Sequence, residues 1–111
     1  MDISQFLSLL LHELSNLEFV EKVDFHTEVF ILKGRVFLQK ERFLQVYFNE
    51  LTGTVAFALI EQGKRVWGVD YDKGRGWHLH PVDHPEAHEN INPPTIEEIV
   101  AFLSRAWGLL D

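Results

Sequence analysis

Val55-Ala56-Phe57-Ala58-Leu59-Ile60-Glu61-Gln62-Gly63-Lys64-Arg65-Val66-Trp67-Gly68-Val69-Asp70-Tyr71 is the stretch that decides the fold. Its first six residues are an unbroken apolar run, the pattern of a central strand covered on both faces. Gln62-Gly63 then supplies a tight turn, because glycine reaches the positive φ that a two-residue hairpin needs. After the turn, Arg65, Trp67, Val69 and Tyr71 fall on one face of an extended chain, and Val66, Gly68 and Asp70 on the other. The two halves therefore form an antiparallel hairpin, and the fold is built on a sheet.

Upstream, Phe43 to Asn49 alternates. Leu44, Val46 and Phe48 point one way and Phe43, Gln45, Tyr47 and Asn49 the other, a half-buried strand. Thr52-Gly53 and Lys40-Glu41-Arg42 are turns, with Arg42 and Lys40 read as turn charges. Before them the chain reads as strands near Val23 to Leu32 and Arg35 to Gln39, or as one bent strand through Gly34. Asp2 to Ser15 has helical spacing in Ile3, Phe6, Leu7, Leu10, Leu11 and Leu14, and Asp2 with Gln5 can cap it.

Downstream, Lys73-Gly74-Arg75-Gly76 is a loop and Trp77 to His80 a short final strand. Asn92-Pro93-Pro94 breaks regular structure and delivers Thr95-x-x-Glu98, a capping box. Ile96, Ile99, Val100, Leu103, Ala106, Trp107 and Leu110 then form one helical face, and Trp67 and Trp107 read as core. The expected fold is α+β: an antiparallel meander sheet of about five to six strands with an amino-terminal and a carboxy-terminal helix packed on it. At 111 residues the chain is expected to be a single domain, residues 1–111.

The composition narrows the chemistry. With no cysteine there is no disulfide, no thiolate nucleophile and no cysteine-type zinc site, so histidine and carboxylate are the good metal ligands. No apolar run reaches the length of a membrane span and no signal region opens the chain, so a cytoplasmic protein without a membrane partner is expected. A net charge of −7 opposes binding of nucleic acid by counterion release, which needs clustered Lys and Arg.

Four of the six histidines lie in one segment, His78, His80, His84 and His88. His78 and His80, two apart on a strand, send both rings to one face, while Trp77 and Leu79 take the other. Asp70 and Asp72 lie just upstream, close enough to orient a ring nitrogen or to join as carboxylate ligands. His84 and His88 align if Pro85 opens a helical turn capped by Asp83.

Three functional readings follow. A His78–His80 pair, supported by Asp70, can serve as general acid and base in RNA transesterification, with Arg65 or Arg75 stabilising the phosphorane charge. Arg75 and Trp77 are then candidate substrate contacts, although Trp77 reads more readily as an anchor packing the loop onto the sheet. Alternatively, two or three of His78, His80, His84 and His88, with Asp70 or Asp72, hold a divalent metal such as zinc. In the third reading the segment binds a partner protein. The plain alternative is a set of ordinary surface histidines in a proline-rich loop. His12 and His26 lie outside the segment and read as structural or solvated.

Arg65-Val66-Trp67-Gly68-Val69-Asp70, then Trp77-His78-Leu79-His80, then Pro93-Pro94-Thr95 to Leu103 follow one another in an order that resembles the TumE-type toxins of toxin–antitoxin pairs. In those proteins a strand ends in an aromatic-rich Arg-x-Asp-Asn-like motif, a His-x-His loop follows, and prolines introduce a carboxy-terminal helix. The resemblance covers roughly residues 43 to 103. Tyr71 stands where the family tends to have Asn, and Lys73-Gly74-Arg75-Gly76 replaces its Pro-His-His. The resemblance implies a toxin acting on RNA or translation and neutralised by an antitoxin protein. A homodimer or a purely structural interaction protein is the remaining option.

Overall fold

The computed structural model describes residues 1–110. Helix α1 (Ile3–Leu14) is followed by seven strands: β1 (Val20–Glu28), β2 (Ile31–Leu38), β3 (Phe43–Asn49), β4 (Val55–Glu61), β5 (Lys64–Asp72), β6 (Gly76–His80) and β7 (Glu89–Asn90). Helix α2 (Ile96–Leu109) closes the chain. The strands form one antiparallel sheet in sequence order, β1 to β7, so the α+β meander expected from the sequence is present with one or two more strands.

Both helices begin as the sequence predicts. Asp2 accepts from the Gln5 backbone N–H at 2.8 Å while the Gln5 side chain accepts from the Asp2 N–H, and Thr95 and Glu98 form the same reciprocal pair for α2. Each box satisfies two backbone donors that no intrahelical carbonyl can reach. The helices lie side by side on one face of the sheet. Phe6 stacks on Phe48 with centroids 4.3 Å apart, and Phe19 stacks on Trp107 at 4.3 Å. Leu10, Leu32, Val36, Leu59 and Val69 are fully buried between the layers. Each such side chain stabilises the fold by about 2 kcal/mol relative to exposure.

Several expectations need correction. The chain turns between β1 and β2 at Val29-Phe30, with Val29 at φ 36°, and not at Gly34. Gly34 instead lies inside β2 opposite Phe25 and Val46, where a Cβ would overlap the Asp24 carbonyl oxygen. The glycine is there for close approach of two backbones, and the turn was invisible because it uses two apolar residues. Strand β4 is covered on one face only. Ala56 and Ala58 floor a recess of about 400 Å³ on the uncovered face, rimmed by Lys33, Arg35, Gln45 and Tyr47. Arg42 is not a solvated turn charge: it is 3% exposed, paired with Glu61, and lies over the Trp107 ring at 4.8 Å. Finally, Trp77 to His80 is not the last strand, because β7 returns to pair with it.

Candidate functional site

Strand alternation sets the site on the uncovered face. His78 pairs with Asp70 and His80 with Gly68 across β5 and β6, so both imidazoles and the Asp70 carboxylate project away from the helices. Leu79 and Trp77, opposite Val69 and Tyr71, point to the core side. Trp77 packs on Tyr71 with centroids 5.3 Å apart, so the side chain considered as a substrate contact lies across the sheet from the histidines. Strand β7 then brings in a third ring. Asn90 pairs with His78, and His88, two residues earlier, shares its face. Ring centroids are 5.2 Å apart for His78 and His80, 5.2 Å for His78 and His88, and 4.5 Å for His80 and His88.

The two inner rings are not surface histidines: His78 is 3% exposed and His80 1%. His84 stays outside the cluster. Pro85 opens no helical turn; His84 takes part in two successive tight turns, donating to Pro81 and accepting from Ala87, and its side chain is exposed. Asp72 is also occupied elsewhere, accepting from the Gly74 and Arg75 N–H groups at 2.9 and 2.8 Å to shape the β5–β6 loop.

The hydrogen bonds fix which nitrogens carry protons. His78 Nδ1 donates to the Gly76 carbonyl at 3.3 Å and His80 Nδ1 donates to the Pro85 carbonyl at 3.1 Å. A carbonyl can only accept, so both Nδ1 atoms hold a proton. The two Nε2 atoms then face one carboxylate oxygen, Asp70 Oδ2, at 3.3 and 3.1 Å. Two ring nitrogens converge on one anionic oxygen that can only accept, so the arrangement calls for a cation between nitrogen and oxygen.

Such a cation can be protons, giving imidazolium rings against the carboxylate, or a metal ion. In a tetrahedral site with bonds of about 2.0 to 2.1 Å, neighbouring ligand atoms lie roughly 3.3 Å apart. The two observed separations match that spacing. One ligand atom from each of His78, His80 and His88 lies within 4.8 Å of the others. Carbonyl acceptors on the distal ring nitrogen are also what orients histidine ligands towards a metal. Both inner Nε2 atoms address Asp70 from buried positions.

Comparison with protein-family models, with curated proteins and with solved structures gives no match. The assignment of the site therefore rests on its own geometry.

Two arginines border the exposed side. Arg65 arrives there through a β-bulge: Leu59 pairs with Trp67 but Ile60 with Arg65, leaving Val66 as the extra residue. Strict alternation puts Arg65 on the Trp67 face; the bulge switches it to the face of Gly68. A Cβ at Gly68 would lie 3.3 Å from Arg65 Cδ and 3.5 Å from His80 Cδ2, so the glycine gives both side chains their room. Arg75 Nη1 donates to His88 Nδ1 at 3.4 Å. Desolvation against its neighbours lowers the His88 pKa below its ordinary value, followed by the charges of His80, Arg75, His78 and Arg65. Sequence reasoning had no sign of the bulge or of the Gly76 and Pro85 carbonyls, which depend on backbone path alone.

Proposed function

We propose that this chain binds a divalent transition-metal ion, with zinc the best fit, through His78, His80, His88 and Asp70. One observation carries the reading. The Nδ1 atoms of His78 and His80 are committed to carbonyls, so it is their two Nε2 atoms that meet the single oxygen Asp70 Oδ2, at 3.3 and 3.1 Å. Imidazole and carboxylate without thiolate suit zinc and its first-row neighbours, and a bound ion would supply Lewis-acid polarisation of whatever donor reaches it. The buried pair holds the ion, Asp70 neutralises part of its charge, and His88 closes the exposed side once Arg75 leaves its Nδ1, because a neutral ring has only one nitrogen free to accept.

The test is metal loading of the purified chain. One Zn²⁺ per chain is expected, with a tetrahedral Co²⁺ absorption spectrum on cobalt substitution. His78→Ala with His80→Ala abolishes both signals, and His84→Ala leaves them. Equal loading of wild type and the double variant overturns the reading.

A second reading is a toxin of the TumE type, acting on RNA and held in check by an antitoxin protein. It is favoured by the meeting of Arg65, Asp70, His78 and His80, the motif residues of that resemblance, in one cluster. Growth arrest on expression, relieved by the same double variant and by co-expression of the neighbouring gene, is its expected signature. Arrest that persists in the double variant removes the cluster from that role.

A further inference from the structure

The chain carries seventeen acidic and ten basic residues, so a cation near its surface has many carboxylates to choose from. Two cations each take one: Arg42 pairs with Glu61, and Lys33 stands 3.7 Å from Glu28. Among the described residues, Arg65 and Arg75 are two of several cations with no carboxylate in ion-pair range, and they are the two arginines that border the histidine cluster. Arg75 reaches only a histidine nitrogen, and the Arg65 stem lies along Gly68 beside His80.

The setting of Arg65 is built by backbone features. The bulge at Val66 turns its side chain to the cluster's face, and Gly68 leaves the space that its Cδ uses. Beside it opens a recess of about 690 Å³ lined by Lys64, Arg65, Val66, His84, Pro85 and Glu86. Lys64 and His84 are exposed, and Glu86 is the one acid among the six. Cations thus collect on the side of the cluster that solvent can reach, in a protein whose overall charge is −7.

We propose that the exposed side of the metal cluster binds the phosphate group of a ligand, with Arg65 and Arg75 as its recognition arms; this rests on the metal reading above. A guanidinium presents N–H donors in a rigid fork that matches phosphate oxygens two at a time. A phosphate carries close to two negative charges and offers oxygens to several donors at once. It therefore suits two guanidiniums beside a divalent ion better than a single carboxylate does. Anions that bring phosphate alone and anions that bring it within a nucleotide or a single-stranded RNA share this chemistry and differ in what else they touch. The recess floored by Ala56 and Ala58, rimmed by Lys33, Arg35 and Tyr47, lies on the same sheet face and is where a longer ligand would continue.

The experiment uses the full chain loaded with Zn²⁺, titrated at constant ionic strength with inorganic phosphate, a nucleoside monophosphate and a short single-stranded RNA in separate arms. Metal content is measured in every sample. Saturable binding in at least one arm is expected, weakened about tenfold or more by Arg65→Ala and partly restored by Arg65→Lys, with metal content unchanged. Tighter binding of RNA than of phosphate identifies the longer ligand; equal binding identifies phosphate itself. A loaded protein that binds none of the three overturns the inference and leaves the metal site standing, and so does binding that Arg65→Ala does not alter. Absence of stoichiometric metal in the wild type overturns both.

Discussion

His80 Nε2 and Asp70 Oδ2 stand 3.1 Å apart in the cluster, while His80 Nδ1 is held by the Pro85 carbonyl. The ring is thereby fixed at both ends, with Nε2 aimed at the carboxylate. The same carboxylate oxygen meets His78 Nε2 at 3.3 Å, so Asp70 is the common partner of both buried rings.

Asp70→Asn keeps the size of this side chain and removes its charge. Metal affinity is expected to fall by about 10- to 100-fold, the usual effect of losing a carboxylate that ligates or orients histidine ligands. Competition with a chromophoric chelator measures it. An unchanged affinity would show that Asp70 is a bystander to the ion.

The depressed His88 pKa predicts a specific pH dependence for the metal-free protein. The folded chain binds the His88 proton less readily than the unfolded chain, whose histidine titrates near 6.5. Above that value the group contributes nothing to the pH dependence. As pH falls through it the unfolded state takes up the proton first, and stability drops until the folded value is passed. Urea denaturation between about pH 7.5 and 5.5 should therefore show a loss that His88→Gln reduces, the range being one unit either side of the ordinary histidine value.

Two glycine substitutions separate fold from site. At Gly34 a Cβ overlaps the Asp24 carbonyl oxygen and lies 2.8 Å from Phe25 Cα, so Gly34→Ala must push β1 from β2. A destabilisation of about 3 kcal/mol is expected, with metal affinity of the remaining folded protein unchanged. At Gly68 the added methyl lies 2.9 Å from the Phe57 carbonyl oxygen and also crowds Arg65 and His80. Gly68→Ala should lower stability and metal affinity together; thermal melts and metal titration of both variants give the comparison.

Thr95→Ala removes the hydroxyl that accepts the Glu98 N–H at 3.1 Å and leaves the first turn of α2 short of a partner. The expected cost is about 1 kcal/mol, read as a shift in the denaturation midpoint. Metal stoichiometry should not change, because α2 lies on the opposite face of the sheet.

The amino-acid sequence by itself determined the elements with strong local signatures. Both capping boxes, the Gln62-Gly63 hairpin, the alternation of Phe43–Asn49 and the shared face of His78 and His80 follow from interactions between residues close in the chain. The tertiary structure alone decided the rest. It placed the β1–β2 turn at two apolar residues, buried Arg42, and left one face of β4 uncovered. It also separated His84 from His88, because a two-residue strand too short to carry a pattern pairs with β6 and brings one histidine back while its neighbour stays in a turn. The arrival of Arg65 depended on a single extra residue in β5, since a one-residue slip in a strand reverses every side chain beyond it. Periodicity reports which residues share a face within one element; which elements meet, and in what register, depends on packing between residues far apart in the chain.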